Sequence, residues 1–378
     1  MEIPFRCSER SSLGVEWELG LVDLDTRQLT SGASEILAEI SAAGDGVHPK
    51  AKHELFESTV EVITGICATV AEARADLAAT VGDVAAAAAR RNLGLVCSGT
   101  HPLTHWATQQ VSPDPRYDRL LRDYQWIARR LLIFGVHCHI GVRAQEKVIP
   151  IVNALTAYVP YILALSGSSP YWCGKDTGLA SVRSKIFEPL PQAGLPYQLA
   201  NWAEFESYME TLIHIGAIDS VREVWWDIRP HPDFGTVELR IADGLPTLDE
   251  VATHAALAQC LVERFDNELD RGYTLPAPKG WVVRANKWRA ARYGLEAEIV
   301  VDDKGTLAPV RQALGDLVEE LMPIARRLDC AEELAGVHRI VEVGPSYQRQ
   351  RAVAEANHGD LSRVVDGLLA EMRTGLPA

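Results

Sequence analysis

The stretch EVWWDIRPHPDFGTVELRIADG, residues 223–244, decides how this chain folds. Two runs of alternating apolar and polar residues flank a turn rich in Pro, Asp and Gly, which is the pattern of a β-hairpin. In the first run, the side chains of Asp227 and Arg229 face away from the apolar positions. In the second run, Glu238 and Arg240 do the same. The stretch therefore predicts antiparallel strands with one apolar face and one charged face.

Two other predicted strands carry the same arrangement. VEWEL places Glu16 and Glu18 on one face, and GVHCHIGV, residues 135–142, places His137 and His139 on one face. A single pair of this kind is ordinary on a half-exposed strand. Four pairs drawn from Glu, His, Asp and Arg combine metal ligands with anion-binding groups. We therefore predict that they line one face of a single sheet and form a cup-shaped site.

Helical patterns surround these strands. Apolar residues recur at helical spacing over residues 67–94, 114–133, 201–216 and 247–272, and STVEVIT at 58–64 is a further strand. An uncharged stretch from Val148 could be a membrane span by composition, but its prolines and the lack of a partner span favour a buried helix. We expect one α+β domain over residues 1–378, with residues 1–10 irregular.

Composition and charge restrict the partners. The chain has 37 Lys and Arg against 51 Asp and Glu, a formal charge of −14, which disfavours nucleic acid and anionic membranes. Its seven cysteines are scattered and never form CxxC, which indicates reduced thiols in a cytoplasm. We expect a cytoplasmic protein that acts on small molecules. The sequence leaves the oligomeric state open, with a homodimer as one expectation.

The acidic residues of the predicted cup point to a hard cation. Carboxylates dominate, with one of the two histidines as a further ligand, and this set suits Mg²⁺ or Mn²⁺ better than structural zinc. KHELFESTVEV adds Glu54 and Glu61 as candidate ligands. The candidate metal ligands are Glu16, Glu18, Glu54, Glu61, His137, His139 and Glu238.

Basic residues suggest where an anion would bind. RANKWRAARYGL brings together Asn286, Arg289 and Arg292, and SVRSKIF contributes Arg183 and Lys185. A solvent-exposed helix face explains the first group equally well. The chain contains no GxxxxGK[ST], no GxGxxG after a strand and no GxSxG. Bound phosphates would therefore be held by cations and arginines rather than by a glycine-rich loop.

The order of these motifs resembles a known family. GVEWEL, FESTVEVITGIC, GVHCHIGV, SSPYWCGKDTGLASVRSKIF, the opening hairpin and NKWRAARYGL are similar to the bacterial carboxylate–amine ligase group of the glutamate–cysteine ligase family. The resemblance implies a glutamine-synthetase-like fold, a curved antiparallel sheet forming a funnel flanked by helices, with ATP and divalent cations inside it. Its metal-binding positions match Glu16, Glu18, Glu61 and Glu238, with His137 or His139 as a further ligand.

The resemblance also implies roles for the remaining residues. Its basic positions, which hold nucleotide or substrate, match Arg183, Arg229, Arg240, Arg289 and Arg292. We assign Arg183, Arg229, Arg240 and Asp227 to catalysis, and Asn286, Arg289, Arg292 and Lys185 to nucleotide binding.

The implied activity is an ATP-dependent ligation of the glutamate γ-carboxylate to cysteine through an acyl phosphate, with residues 166–185 as a lid. Two alternatives stay open. They are the same chemistry with another amine acceptor, and a metal-dependent amide hydrolase.

Overall fold

The computed structural model describes residues 2–41, 47–302 and 304–376. The strands are β1 (Leu13–Asp23), β2 (Ala51–His53), β3 (Thr59–Ile63), β4 (Leu93–Val96), β5 (Val136–Gly141), β6 (Tyr171–Trp172), β7 (Lys175–Asp176), β8 (Ala193–Gly194), β9 (Trp225–Trp226), β10 (Ile228–His231), β11 (Thr236–Leu239), β12 (Glu298–Val300) and β13 (Leu307–Pro309). The helices are α1 (Ala33–Ile40), α2 (Val70–Ala89), α3 (Pro115–Arg129), α4 (Gln145–Leu155), α5 (Val159–Ser166), α6 (Arg183–Phe187), α7 (Trp202–His214), α8 (Leu248–Asp270), α9 (Gly280–Tyr293), α10 (Val310–Arg327), α11 (Ala331–Val343), α12 (Ser346–Ala356) and α13 (Leu361–Met372).

An open antiparallel sheet organises the protein. Its strand order is β10-β11-β5-β1-β3-β2, and β4 pairs with β1 beside this path. Every pairing within this sheet is antiparallel, as the alternating patterns predicted. The predicted hairpin is confirmed as β10 and β11. At its turn Gly235 has φ 65°, and a side chain there would collide with the Arg6 carbonyl oxygen, so glycine is required.

The apolar face of the sheet packs on helices. On β1 the side chains of Trp17 and Leu19 are fully buried, and the Trp17 indole donates to the Leu245 carbonyl over 3.0 Å. Helices α2 and α8 contact β1, and α4 contacts β10 and β11. Most of the buried apolar side chains in the described residues form one continuous core. The predicted α+β class, an antiparallel sheet flanked by helices, is therefore confirmed, and the opposite face of the sheet is left for polar side chains.

Two of the helices begin at side chains that cap them. Thr247 caps α8 by accepting from the Glu250 amide over 3.2 Å, as its capping sequence indicates. Asp114 caps α3 in the same way, through the Arg116 amide. The helix predicted over 114–133 is confirmed as α3, Pro115–Arg129, but Gln125 has φ 48° and ψ −124° and interrupts it, and residues 130–133 lie beyond its end. A left-handed φ at a non-glycine residue cannot be read from helical spacing.

The uncharged stretch is a core helix pair. The described residues contain one helical segment, Gln145–Ser166, that is long and apolar enough to cross a membrane, and 72% of its most apolar window is buried inside the protein. This segment is α4 and α5, joined by a single 3₁₀ turn. At the amino terminus, residues 2–9 form no helix or strand, although Ile3 and Phe5 are buried.

Candidate active site

The polar face of the sheet carries a compact group of ionisable side chains, here called the cup. Strand register decides its geometry, because residues directly opposite in an antiparallel ladder place their side chains on the same face. The opposed pairs are Glu16 with His137, Glu18 with Glu61, Glu238 with His139, and Glu238 with Arg229. Four strands that are distant in sequence thus bring the predicted carboxylates and imidazoles together.

His137 lies at the centre of the cup. Its Nδ1 is 3.0 Å from Glu16 Oε2, and its Nε2 is 3.9 Å from Glu18 Oε1. Ligand atoms of Glu16, His137 and Glu238 lie within 4.8 Å of one another, and so do those of Glu18, Glu61 and His137. Two groups of possible metal ligands therefore share one imidazole.

A buried nitrogen of the cup supports cation binding. Among the described residues, the buried His137 Nε2 has no hydrogen-bond partner, and Glu18 Oε1 lies 3.9 Å away from it. Buried polar atoms are almost always satisfied, so an unsatisfied imidazole nitrogen beside carboxylates indicates that a ligand completes the site. Carboxylate oxygens with one imidazole are a donor set suited to Mg²⁺ or Mn²⁺. The residues present thus fit the predicted divalent cations.

Two carboxylates of the cup resist ionisation. Burial, together with the charge of Glu54, raises the pKa of Glu18 to about 8. Burial raises the pKa of Glu61 well above its usual range, and the nearby Glu16 and Glu54 charges add to this effect. Lys52 opposes this effect, with its Nζ 2.8 Å from Glu61 Oε2. Crowded buried carboxylates of this kind gain most from a bound cation.

Two other carboxylates are held ionised. Burial alone would raise the pKa of Glu238, but the charges of Arg229 and Arg240 keep it well below its usual range. Arg229 Nε lies 2.6 Å from Glu238 Oε2, and Arg240 Nη1 donates to Oε1. Against the same effect of burial, hydrogen bonds from His137 and His139 keep the pKa of Glu16 well below its usual range. These two groups remain anionic at neutral pH.

Two imidazoles, those of His137 and His231, are held neutral. Burial and the nearby Arg240 charge lower the pKa of His137 to about 4. Burial and His139 likewise lower the pKa of His231 to about 4. A neutral imidazole keeps a lone pair for a metal, so the electrostatics of His137 agree with its unpartnered Nε2.

Two adjoining cavities open at the cup. One, of about 200 Å³, lies over the carboxylates, and the second, of about 250 Å³, extends beside it. The residues that border both cavities are Glu54, Arg116, Tyr117, Trp225 and Arg240. We call the second cavity the chamber. The cup and the chamber therefore form a continuous cleft.

Arg183 lies behind the cup. Its guanidinium is buried and donates to the backbone carbonyls of Arg240 and Ile241 at 3.4 Å. A side chain at Gly135 would collide with this guanidinium and would approach His137 Nε2 to 3.0 Å. Gly135 is thus required for close packing, and Arg183 adds positive charge behind Glu18.

Two predicted site residues are occupied elsewhere. Asp227, predicted to be catalytic, accepts from Lys287 Nζ at 2.7 Å in a buried ion pair and does not border the cup. Lys287 also contacts Glu188 at 2.6 Å, and Glu188 in turn pairs with Lys185 at 2.8 Å. In this structure Asp227 is therefore directed to a lysine from α9 that the strand pattern does not reveal, and its catalytic role stays a prediction.

The predicted nucleotide-binding cluster on α9 is used for packing. Asn286 bonds both backbone groups of Val300 at 2.8 Å, Arg289 donates to the Glu298 carbonyl at 3.1 Å, and Arg292 donates to the Gly178 carbonyl. Among the described residues that border the cup or the chamber, none comes from α9. In this structure these side chains fasten α9 to the segments beside it, and their assignment to nucleotide binding stays a prediction.

The predicted lid, residues 166–185, is anchored at its base. Asp243 is fully buried and accepts from the hydroxyls of Ser169 at 2.6 Å and Ser181 at 2.7 Å, and from the Ser168 amide at 3.1 Å. The centre of the segment folds into the β6–β7 hairpin. Closure of this segment stays a prediction, and the buried contacts restrict movement to its central part.

Comparison with known proteins decides the family. A family model described as Glutamate-cysteine ligase family 2 matches residues 12–367. The chain belongs to this family. It is 61% identical over 378 residues to a protein of Frankia alni named "Putative glutamate–cysteine ligase 2-1", covering 100% of this chain and 99% of that one. It is 53% identical to "Putative glutamate–cysteine ligase 2" of Thermobifida fusca, covering 100% of this chain and 95% of that one. Membership in this family makes the chain a carbon–nitrogen ligase.

Solved structures agree on the fold. Glutamate–cysteine ligase from Francisella tularensis, in complex with AMP, superposes with a TM-score of 0.71 at 14% identity, over 98% of this chain and 91% of that one. A bifunctional glutathione synthetase from Pasteurella multocida gives 0.68 at 13% identity, over 96% of this chain and 52% of that one. At this identity the likeness concerns the fold alone, and it confirms the expected ligase architecture.

Several residues of this family member border the site without having been singled out from the sequence. His231 follows Arg229 by two positions on β10, so strand alternation could have identified it. Its ring stacks on Phe234 with centroids 4.1 Å apart, and both border the cup. Lys52 faces Glu61 across β2 and β3. Arg116 lies on a helix far from every strand pattern, and no sequence signal indicates it.

Proposed function

We propose that this ligase uses ATP and Mg²⁺ to join the γ-carboxylate of glutamate to the amine of cysteine. The observation that supports the proposal is the pair of ligand groups that share His137. They stand beside two arginines that are held by Glu238. A site that must bind a triphosphate and activate a carboxylate needs both features. The named relatives are similar over the whole chain, which supports the choice of substrates.

The chemistry follows from the reluctance of a carboxylate to accept an amine. The substrate carboxylate takes the γ-phosphoryl group of ATP, forming an acyl phosphate and ADP. The amine then attacks the acyl carbon, phosphate leaves, and the amine loses a proton. Both steps build negative charge on oxygen atoms, so the protein must provide positive charge without supplying a nucleophile.

Glu16, Glu238 and His137 would hold a cation, or Glu18, Glu61 and His137 would hold it instead, because a neutral imidazole has one lone pair to give. Bound there, Mg²⁺ would neutralise phosphate charge. The neutral state of His137 leaves its Nε2 free to act as a ligand, and burial excludes competing water.

Arg229 and Arg240 have different parts. Arg229 is committed through Nε to Glu238 and through Nη1 to the carbonyls of Arg222, at 3.0 Å, and Val224, at 2.8 Å. It therefore positions Glu238. Arg240 binds Glu238 through Nη1, while its buried Nε has no partner, and its side chain borders both cavities. Arg240 is the guanidinium best placed to donate to a substrate oxygen.

The test is ADP release by the purified chain with Mg·ATP, glutamate and cysteine, with mass spectrometry of the product. We expect γ-linked dipeptide and ADP in equal amounts, and little ADP when either amino acid is left out. Glu61→Gln should abolish turnover, whereas Glu319→Gln, at an exposed surface position, should leave it unchanged. ADP release with other amines but not with cysteine would keep the chemistry and replace the acceptor. Absence of ADP release with every carboxylate–amine pair would refute the proposal.

We expect this reaction to take place in the cytoplasm, where ATP is available and thiols stay reduced. All seven cysteines are free, including Cys260 and Cys330, whose sulfur atoms are 3.7 Å apart without a bond. A homodimer remains an expectation, which size-exclusion chromatography with light scattering would test.

A further inference from the structure

The chamber beside the cup has mixed chemistry. Apolar and aromatic side chains form much of its wall; among them are Leu55, Leu120, Tyr124, Leu131, Phe187 and Leu190. Helix α3 supplies one side, and the segment before β8 supplies the other. At about 250 Å³, the chamber is smaller than the roughly 300–1,000 Å³ typical of pockets for drug-sized ligands such as a nucleotide. It is therefore suited to a small ligand with an apolar portion.

Cations around the chamber differ in how they are paired. Arg119 contacts Asp219, and its other guanidinium atoms lie 3.2 Å from Asp123 and 3.7 Å from Glu223. Arg240 is bound to Glu238. Arg116 borders the chamber and the cup, and within residues 2–41, 47–302 and 304–376 no carboxylate lies within ion-pair distance of its guanidinium. Arg116 is thus the arginine there that can accept a carboxylate from outside the protein.

A carboxylate at the same junction is also unpaired. Glu54 borders both cavities, and in the described part of the chain its only hydrogen bond is to the Leu55 amide, at 2.9 Å. No described lysine, arginine or histidine pairs with it. An acid and a guanidinium, neither of them in an ion pair with a described residue, therefore border both the chamber and the cup. Together they match the ammonium and carboxylate groups of a zwitterion.

We propose that the chamber binds an α-amino-acid substrate of the ligase, with Arg116 on its α-carboxylate and Glu54 on its ammonium group. This inference rests on the proposed function and assigns part of the site to one of its substrates. The apolar wall would surround the carbon portion of the substrate, and the opening beside Arg240 leads to the carboxylates of the cup. Glutamate and cysteine share this zwitterionic chemistry, so the experiment must distinguish them.

The variants are Arg116→Met, which removes the charge and keeps the length, and Arg116→Lys, which keeps the charge. Arg129→Met is the matched control, because Arg129 lies on the same helix, is exposed and borders neither cavity. Losing one charged hydrogen-bonded contact should raise the Michaelis constant of one amino acid about 10- to 100-fold in Arg116→Met. The constant for ATP should change less than about twofold, and Arg116→Lys should recover part of the loss.

The amino acid whose constant rises identifies the occupant. Substrates without the α-carboxylate, cysteamine for cysteine and 4-aminobutanoate for glutamate, provide the complementary test. The wild type should bind weakly the analogue of the amino acid that occupies the chamber. Arg116→Met should bind that analogue and the amino acid itself about equally well. Unchanged constants for both amino acids in Arg116→Met, or an increase for ATP instead, would overturn the assignment.

A binding measurement tests the chamber assignment independently of the ligation reaction. Calorimetric titration of each amino acid into the protein with Mg·ADP needs no turnover. If the wild type binds an amino acid and Arg116→Met does not, the chamber assignment stands even where no ADP is released, and only the ligation reaction fails. If neither amino acid binds to the wild type, the chamber assignment fails.

Discussion

Replacing Glu238 by Gln should weaken the folded protein as well as the reaction. The Glu238 carboxylate is fully buried and accepts from two guanidiniums, through Arg229 Nε at 2.6 Å and through Arg240 Nη1. Glutamine removes the negative charge and replaces one acceptor oxygen by a donor NH₂ group. One guanidinium would then face that donor, and two buried positive charges would lose the anion between them.

The magnitude follows from this burial. Breaking a buried ion pair by removing one partner costs about 3–5 kcal/mol, because the remaining charge stays desolvated. The unfolding entropy is about 2.1 cal/mol/K per residue, so a chain of 378 residues should lose about 4–6 °C in Tm. The assay is thermal unfolding followed by circular dichroism, first without Mg²⁺, so that metal binding does not contribute.

Glu319→Gln serves as the control. Glu319 is exposed, and its partner His338 is 3.8 Å away. The Tm of the Glu319→Gln variant should therefore stay within about 1 °C of the wild-type Tm. If Glu238→Gln also stayed within this range, the two arginines would not depend on Glu238, and the electrostatic account of the cup would be wrong.

Three further predictions concern the surroundings of the cup. Glu18 and Glu61 have raised pKa values, about 8 for Glu18, so they lose their protons in the folded protein as the pH rises. The stability of the metal-free protein should therefore fall as pH rises toward 8, and Mg²⁺ should raise Tm more at pH 9 than at pH 6. Equal Tm shifts on adding Mg²⁺ at both pH values would contradict this prediction. Gly135→Ala should lower Tm and ligase activity together, since the added methyl collides with the Arg183 guanidinium; wild-type values for both would show that the backbone can shift. Asp243→Asn should cost about 1–3 kcal/mol in urea unfolding, because an acceptor shared by three serines becomes partly a donor; an unchanged midpoint would show that these bonds are replaceable.

The strands and the acidic part of the cup were predictable from the sequence. Side chains two residues apart on a strand lie on the same face. This alternation is a property of the strand backbone and does not depend on the segments packed around it. Glu16 opposite His137 and Glu238 opposite His139 confirm that predicted faces coincide in one sheet. The turn after His231 predicted the hairpin because Gly235 must adopt a left-handed conformation.

The basic part of the site was less predictable. Arg289 and Arg292 form a cationic pattern on α9, yet they donate to backbone carbonyls away from the cup. Asp227 follows the strand pattern, but Lys287 from the same helix neutralises it. Long basic side chains reach distant partners, so their spacing along the chain does not determine what they contact.

The sequence by itself determined the strand faces, the positions of the main helices and the family. These properties follow from local periodicity and from the chemistry of single side chains. Only the tertiary structure decided which charges are paired. It committed Arg119 and Arg229 to neighbouring acceptors, left Arg116 and Glu54 without an ion-pair partner among the described residues, and brought α3 beside the sheet to form the chamber. Pairing depends on distances between segments that are remote in sequence, and folding alone sets those distances.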